Sequence, residues 1–171
     1  ICVYKIAKAQ CLYLYEQYEA AFTCLQEITP RLSFIAGSVS VIEHQFYLSL
    51  CAAALWRHET EPRRSELLSL LSRGCQRFAA WAGTCPDNFL HKQQLLEALR
   101  AELTGDLWRA MQLFEAAIAS AAQQEFNHME ALACECMARF FNHHGKEDYA
   151  RAYLQRAYLN YKAWGVRFKF E

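Results

Sequence analysis

ALRAELTGDLWRAMQLFEAA, residues 98–117, and ARFFNHHGKEDYARAYLQRA, residues 138–157, share one plan. At an offset of 40, Ala98, Gly105, Ala110, Phe114 and Ala117 map onto Ala138, Gly145, Ala150, Leu154 and Ala157. Each set is a small residue, a glycine, then small–large–small at helical spacing. Positions i, i+4 and i+7 share one face of a helix. Alanine on that face lets two antiparallel helices approach closely, and Phe114 or Leu154 fills the gap between them. The glycine ends the first helix of each pair in a left-handed cap. Near the start of the chain, Ala9, Ala21, Leu25 and Ile28 keep the same internal spacings. The glycine is missing there, and Tyr15 or Glu16 stands in its place.

Working outward from these seams, the apolar periodicity predicts eight helices, over about 2–15, 18–29, 43–58, 63–82, 87–104, 107–124, 127–144 and 147–163. Pro30 closes the second helix, and Pro62 suits the start of the fourth. Residues 31–42 hold Gly37, serines, Val39, Val41 and Ile42, and read as an irregular connector with room for a short extended piece. Thr84 or Asp87 is the expected cap before the fifth helix. The fold class is therefore all-α. It is an α-α superhelix of antiparallel pairs, about 2–29, 43–82, 87–124 and 127–163, in one helical-repeat domain over 1–171. The small–turn–small–aromatic–small spacing agrees with tetratricopeptide repeats, although the offset exceeds their usual ~34 residues; the additional residues lengthen the helices. The pair 43–82 fits the template poorly and reads as a degenerate repeat.

Composition narrows the partners. Eighteen Lys and Arg balance eighteen Asp and Glu, so the formal net charge is zero. Such a chain has no long-range field to draw in nucleic acid or an anionic membrane, and neither partner is expected. No apolar run reaches the ~18 residues a membrane span needs. Most of the eight cysteines sit in apolar helical patterns, where a thiol behaves as a small hydrophobe. They are expected to be reduced and buried, in a cytoplasmic protein. The chain reads as a fragment of a larger protein.

Few constellations carry chemistry. Cys134 and Cys136 stand near His128, His143 and His144, but residues i and i+2 point about 200° apart on a helix, so both thiolates cannot reach one metal ion. His143 and His144 suit the negative end of a helix dipole. Cys51 and His44 share a helix face but are two turns, or ~10.5 Å, apart, too far for a nucleophile and its base. Gly74 and Gly83 lack the flanks of a phosphate loop. Arg57, Arg63, Arg64, Arg73 and Arg77 form a mild basic cluster that reads as a solvated face. No catalytic residue, metal or cofactor is expected.

Three strings go beyond a generic repeat: Glu43-His44-Gln45-Phe46-Tyr47-Leu48-Ser49-Leu50; Asn88-Phe89-Leu90-His91-Lys92; and Ala157-Tyr158-Leu159-Asn160-Tyr161-Lys162-Ala163-Trp164-Gly165. Together they resemble the helical-repeat region of very large signalling proteins. Those proteins carry a serine/threonine-kinase-like domain, a STAND-type ATPase, the repeats, a GAF domain and often a sensor histidine kinase. The resemblance implies a non-catalytic regulatory or protein-interaction module of a signal-transduction ATPase or kinase. Its partners would be another protein or neighbouring domains of the same chain. The alternative is a domain that senses a small-molecule or peptide inducer, as in STAND-type regulators. The candidate interaction surface is Glu43, His44 and Tyr47 on one helix with Asn88, His91 and Lys92 on another, meeting across a helix–helix groove. The plainer reading is that these groups cap and orient helices around the 31–42 connector.

Overall fold

The computed structural model describes residues 1–165; the run 166–171, the end of the expected domain, lies outside the described residues. Eight α-helices follow one another: α1 Cys2–Leu14, α2 Tyr18–Ile28, α3 Val39–Trp56, α4 Arg63–Thr84, α5 Pro86–Leu103, α6 Leu107–Gln123, α7 Asn127–His143 and α8 Glu147–Trp164. A 3-10 helix, Thr29–Ile35, joins α2 to α3, and no strand occurs among the described residues. The chain forms two compact units, Ile1–Gly74 and Cys75–Glu171. The first holds α1 to α3, the second α5 to α8, and α4 runs through the boundary.

One turn is used four times. Glu16, Gly105, Glu125 and Gly145 all adopt positive φ, at 61°, 87°, 59° and 68°. In each case the next residue donates its N–H back to a carbonyl five residues earlier: Gln17 to Leu12, Asp106 to Ala101, Phe126 to Ala121 and Lys146 to Phe141, at 2.9–3.0 Å. The left-handed residue itself bonds the carbonyl three back. This doubly bonded reversal satisfies the last carbonyls of the incoming helix and leaves only three residues outside helices. The residue after each reversal then accepts the first bond of the next helix, as Gln17 does from Ala21 and Lys146 from Ala150. Of the two candidates for the missing glycine, Glu16 takes the left-handed position.

The seams are built as the spacing requires. Ala9, Ala21 and Leu25 in the first unit, and Ala98, Ala110, Phe114, Ala117, Ala138, Ala150 and Ala157 in the second, are fully buried. Leu154 departs from the expectation, being exposed. Its register turns it to the side on which α6 meets α7, and no described helix follows α8.

Three other expectations are corrected. The connector is neither extended nor irregular throughout: Thr29–Ile35 is 3-10, with Pro30 in its first turn, and α3 begins at Val39 instead of 43. Gly37, at φ 83°, marks the break between them. Burial overrides the strand preference of the β-branched run, since Val41 and Ile42 are half-buried in the first turn of α3. Before α5 the capping position is Cys85, and no side chain caps it. Pro86 opens the helix with its preset φ. Asp87 instead accepts a hydrogen bond from Gln124 Nε2 at 3.3 Å, and Thr84 bonds back to the Ala80 carbonyl. Finally, four cysteines are buried (Cys51, Cys75, Cys134, Cys136), Cys2, Cys24 and Cys85 are half-buried, and Cys11 is exposed; all are free thiols.

Candidate interaction surface

The two sequence-derived triads fall in different units, α3 in the first and α5 in the second. On α3, ten successive residues, His44 to Ala53, are buried, so this helix is enclosed all round. His44 is fixed by the end of α2. Its Nε2 lies 3.0 Å from the Leu25 carbonyl and 3.3 Å from Thr29 Oγ1. A carbonyl can only accept, so Nε2 carries the proton. Thr29 Oγ1 donates to the same carbonyl at 3.0 Å. His44 therefore ties α3 to the point where α2 gives way to the 3-10 helix. Tyr47 is buried edge-on against Tyr13, with ring centroids 5.6 Å apart. Glu43 is half-buried and accepts from Gln10 Nε2 of α1 at 3.2 Å.

On α5, Asn88 is exposed, and its Nδ2 reaches Cys85 Sγ at 3.2 Å. His91 and Lys92 are buried. The His91 ring packs 5.0 Å from Phe126, which leads through His128 to the stacked ring of Trp164. The buried His91 Nδ1 meets no hydrogen-bond partner among the described residues. Burial above all, then the neighbouring Lys92 and His128, pushes the His91 imidazole down to about 3, so it is neutral at physiological pH. Of the six residues, Asn88 is thus the one fully presented to solvent, and Glu43 is partly so.

Several polar groups that the sequence reading did not single out join helices within the second unit. Glu130 of α7 takes Arg156 of α8 at 2.8 Å. The Tyr161 hydroxyl of α8 donates to Glu135 of α7 at 2.8 Å, and Arg139 reaches the other oxygen of that carboxylate at 3.2 Å. Ser120 of α6 donates to Gln94 of α5 at 2.7 Å. His143 meets the buried Glu102 of α5 at 3.4 Å, so it does more there than face a helix dipole. The repeat did not mark this last pair, since at the 40-residue offset Glu102 maps onto Asn142 and not onto His143. In the first unit, part of the basic cluster is likewise engaged: Arg63 with Glu19 at 2.7 Å, and Arg64 over the Trp56 ring at 4.3 Å.

Two open grooves lie in the first unit. The larger, about 620 Å³, runs between α1 and α2, bordered by Tyr4, Lys5, Lys8, Leu12, Glu19 and Glu27 among others. Lys5 and Glu27 are ion-paired across it. The smaller, about 530 Å³, is bordered by Gln26, Ser65, Glu66, Ser69, Leu70 and Arg73. Burial pushes the Cys75 and Cys134 thiols up to about 12, and raises Cys51 and Cys136 as well, so none of these four is a thiolate nucleophile at neutral pH. No group of three or more His, Cys, Asp or Glu residues among the described residues is arranged to hold a metal ion. No helix among them is long and apolar enough to cross a membrane.

A family model described as CHK1-like, TPR repeats matches residues 2–149. No curated protein and no solved structure matches the chain.

Proposed function

The chain belongs to the family of CHK1-like TPR repeats, and from that premise we propose that it is the regulatory interaction segment of a signalling ATPase or kinase. TPR repeats are non-catalytic protein-interaction modules, and the coarse function follows from the family. The finer reading is that this segment holds neighbouring domains of its own polypeptide, or a protein partner, in the signalling state.

The observation that carries it is how the side chains are spent. Alanine seams are fully buried between paired helices, and the buried carboxylates Glu130 and Glu135 serve helix-to-helix bonds. Large side chains such as Trp108 and Tyr149 are left on the surface. Such a scaffold offers extended surfaces for other proteins.

The test is Glu43→Ala with Asn88→Ala in the parent protein. The expected outcome is a weakened signalling output, with Asn88→Ala alone leaving the melting temperature within about 2 °C of the parent, as for a surface change under ~0.5 kcal/mol, and Glu43→Ala adding the roughly 0.5–1.5 kcal/mol of its bond from Gln10. Unchanged output would remove these two residues from the interaction surface. A metabolite or peptide that raises the melting temperature of the chain by mass action would favour the inducer-sensing reading instead. The α1–α2 groove is where it would bind, being within the usual range of ligand sites.

A further inference from the structure

The turn between α7 and α8 carries groups that its equivalent between α5 and α6 lacks. At the 40-residue offset, His143 and His144 map onto Leu103 and Thr104. Thr104 closes its own helix, its hydroxyl donating to the Arg100 carbonyl at 2.9 Å. One reversal is thus made without an imidazole and the other with two, so the repeat's packing does not require them. Both rings turn to one atom. His143 Nδ1 lies 3.4 Å and His144 Nε2 3.9 Å from Glu102 Oε1, near the end of α5. The carboxylate is 5% exposed and the His143 side chain 40%, so a buried acid meets a ring that water still reaches.

A carboxylate accepts, so His143 Nδ1 carries the proton facing Glu102, and Nε2 is the atom that titrates. A second proton on the ring turns a neutral bond into a charge-assisted one, about twice as strong. The negative ends of two helices favour the same charge, because Glu102 lies in the last turn of α5 and His143 ends α7. Against it stands Arg139 of α7. Its guanidinium is 3.2 Å from both Glu135 and Cys136 Sγ, and its charge reaches the Cys136 thiol as that of Glu102 does. Cys136 is itself neutral, since burial raises it. The other charges in the adjoining turns are exposed: Asp106, which caps the Arg109 N–H, and Lys146 and Glu147. An opposite charge in contact outweighs a like charge that Glu135 already shares.

We propose that His143 and Glu102 form a proton-operated clasp: protonation of His143 tightens the α7–α8 turn onto the end of α5, and loss of that proton loosens it as pH rises through the neutral range. The folded-state value of the ring then lies above the ordinary ~6.5. The stability it adds is fully present below about pH 6.5 and is lost as pH rises past the folded value. The sense is opposite to that of His91, whose burial lowers its value. The clasp goes beyond the interaction role above and does not rest on it.

The test is an imidazole NMR titration of the full chain between about pH 5.5 and 8.5, with the His143 signal assigned by His143→Gln. His143 should titrate at least about half a unit above ~6.5, and Glu102→Gln should return it to the ordinary range. The N–H groups of His144, Gly145 and Lys146 bond the Phe141 and Asn142 carbonyls and report on the turn. Their protection, corrected for intrinsic exchange, should fall about threefold or more between about pH 6 and 8, the change that a half-unit shift allows. In His143→Gln it should stay level. Should Glu102→Gln not fold, His143→Gln, at an exposed position, carries the comparison. A His143 value at or below ~6.5, a value unmoved by Glu102→Gln, or protection independent of pH overturns the proposal. So does a fall in protection that His143→Gln retains.

Discussion

Glu16 and Glu125 hold left-handed backbone that an L side chain adopts only at a cost of about 1–2 kcal/mol, whereas Gly105 and Gly145 hold it without that cost. A Cβ built on Gly105 or Gly145 meets no atom within 4 Å, so substitution there tests backbone conformation alone. Gly105→Ala and Gly145→Ala should each destabilise by roughly 1 kcal/mol in urea unfolding, with no change in m-value. An equal stability would mean that the turn does not need the left-handed form. The two glycine turns were legible in the sequence, and Glu16 was one of two candidates, but Glu125 was not seen: nothing in its side chain announces positive φ, which the packing of α6 and α7 on either side imposes. His91 makes the second residue-scale prediction. Its folded-state value of about 3 lies below the ordinary ~6.5 of the unfolded chain, so between these the unfolded chain binds the extra proton. Stability contributed by the neutral ring is therefore present above about pH 6.5 and is lost as pH falls, by roughly 1.4 kcal/mol per unit until about pH 3. His91→Leu should flatten this slope between pH 6.5 and 4.5 in matched urea titrations. A slope identical to that of the parent would show that the ring is solvated.

The unit of construction at the element scale is the alanine seam. Ala150→Leu must force its added methylenes between α7 and α8, and should cost about 1–3 kcal/mol or more, while Ala152→Leu on the exposed side should be within about 0.5 kcal/mol of neutral; thermal unfolding of the two variants side by side decides it. The bond from Tyr161 to Glu135 is buried, so Tyr161→Phe leaves a carboxylate oxygen short of a donor and should cost roughly 1–3 kcal/mol. No loss of stability would mean that water or Arg139 replaces the hydroxyl. Amphipathic helices were read to within a residue or two, because one apolar stripe per helix leaves a period in the sequence. Helix α3 was begun four residues late. Its ten-residue enclosed run shows no polar face to mark the period, and its first turn is made of β-branched residues that by themselves favour a strand. The candidate triads divided along the same line. His44, Tyr47, His91 and Lys92 were conspicuous as polar or aromatic groups within apolar runs, yet a polar residue in such a run is as readily a buried brace as a contact surface, and only their burial and partners separate the two.

Taken as a whole, the molecule keeps its thiols in three classes. Cys11 should react at once with a thiol reagent, Cys2, Cys24 and Cys85 more slowly, and Cys51, Cys75, Cys134 and Cys136 only as the chain unfolds, since burial raises all four. Native-state labelling read by mass spectrometry checks it; early modification of Cys134 or Cys136 would contradict the packing of α7. The all-α class, the number of helices and the paired-repeat plan were determined by the sequence alone, because helical periodicity and small-residue spacing are local properties that recur every forty positions. Tertiary structure alone decided which counterpart of a repeated residue is covered. Phe114 and Leu154 stand at the same register, but Phe114 lies beneath α7 and Leu154 does not lie beneath any described helix. Burial is set by what packs on a residue from elsewhere in the chain, and that cannot be read from the residue or its own helix.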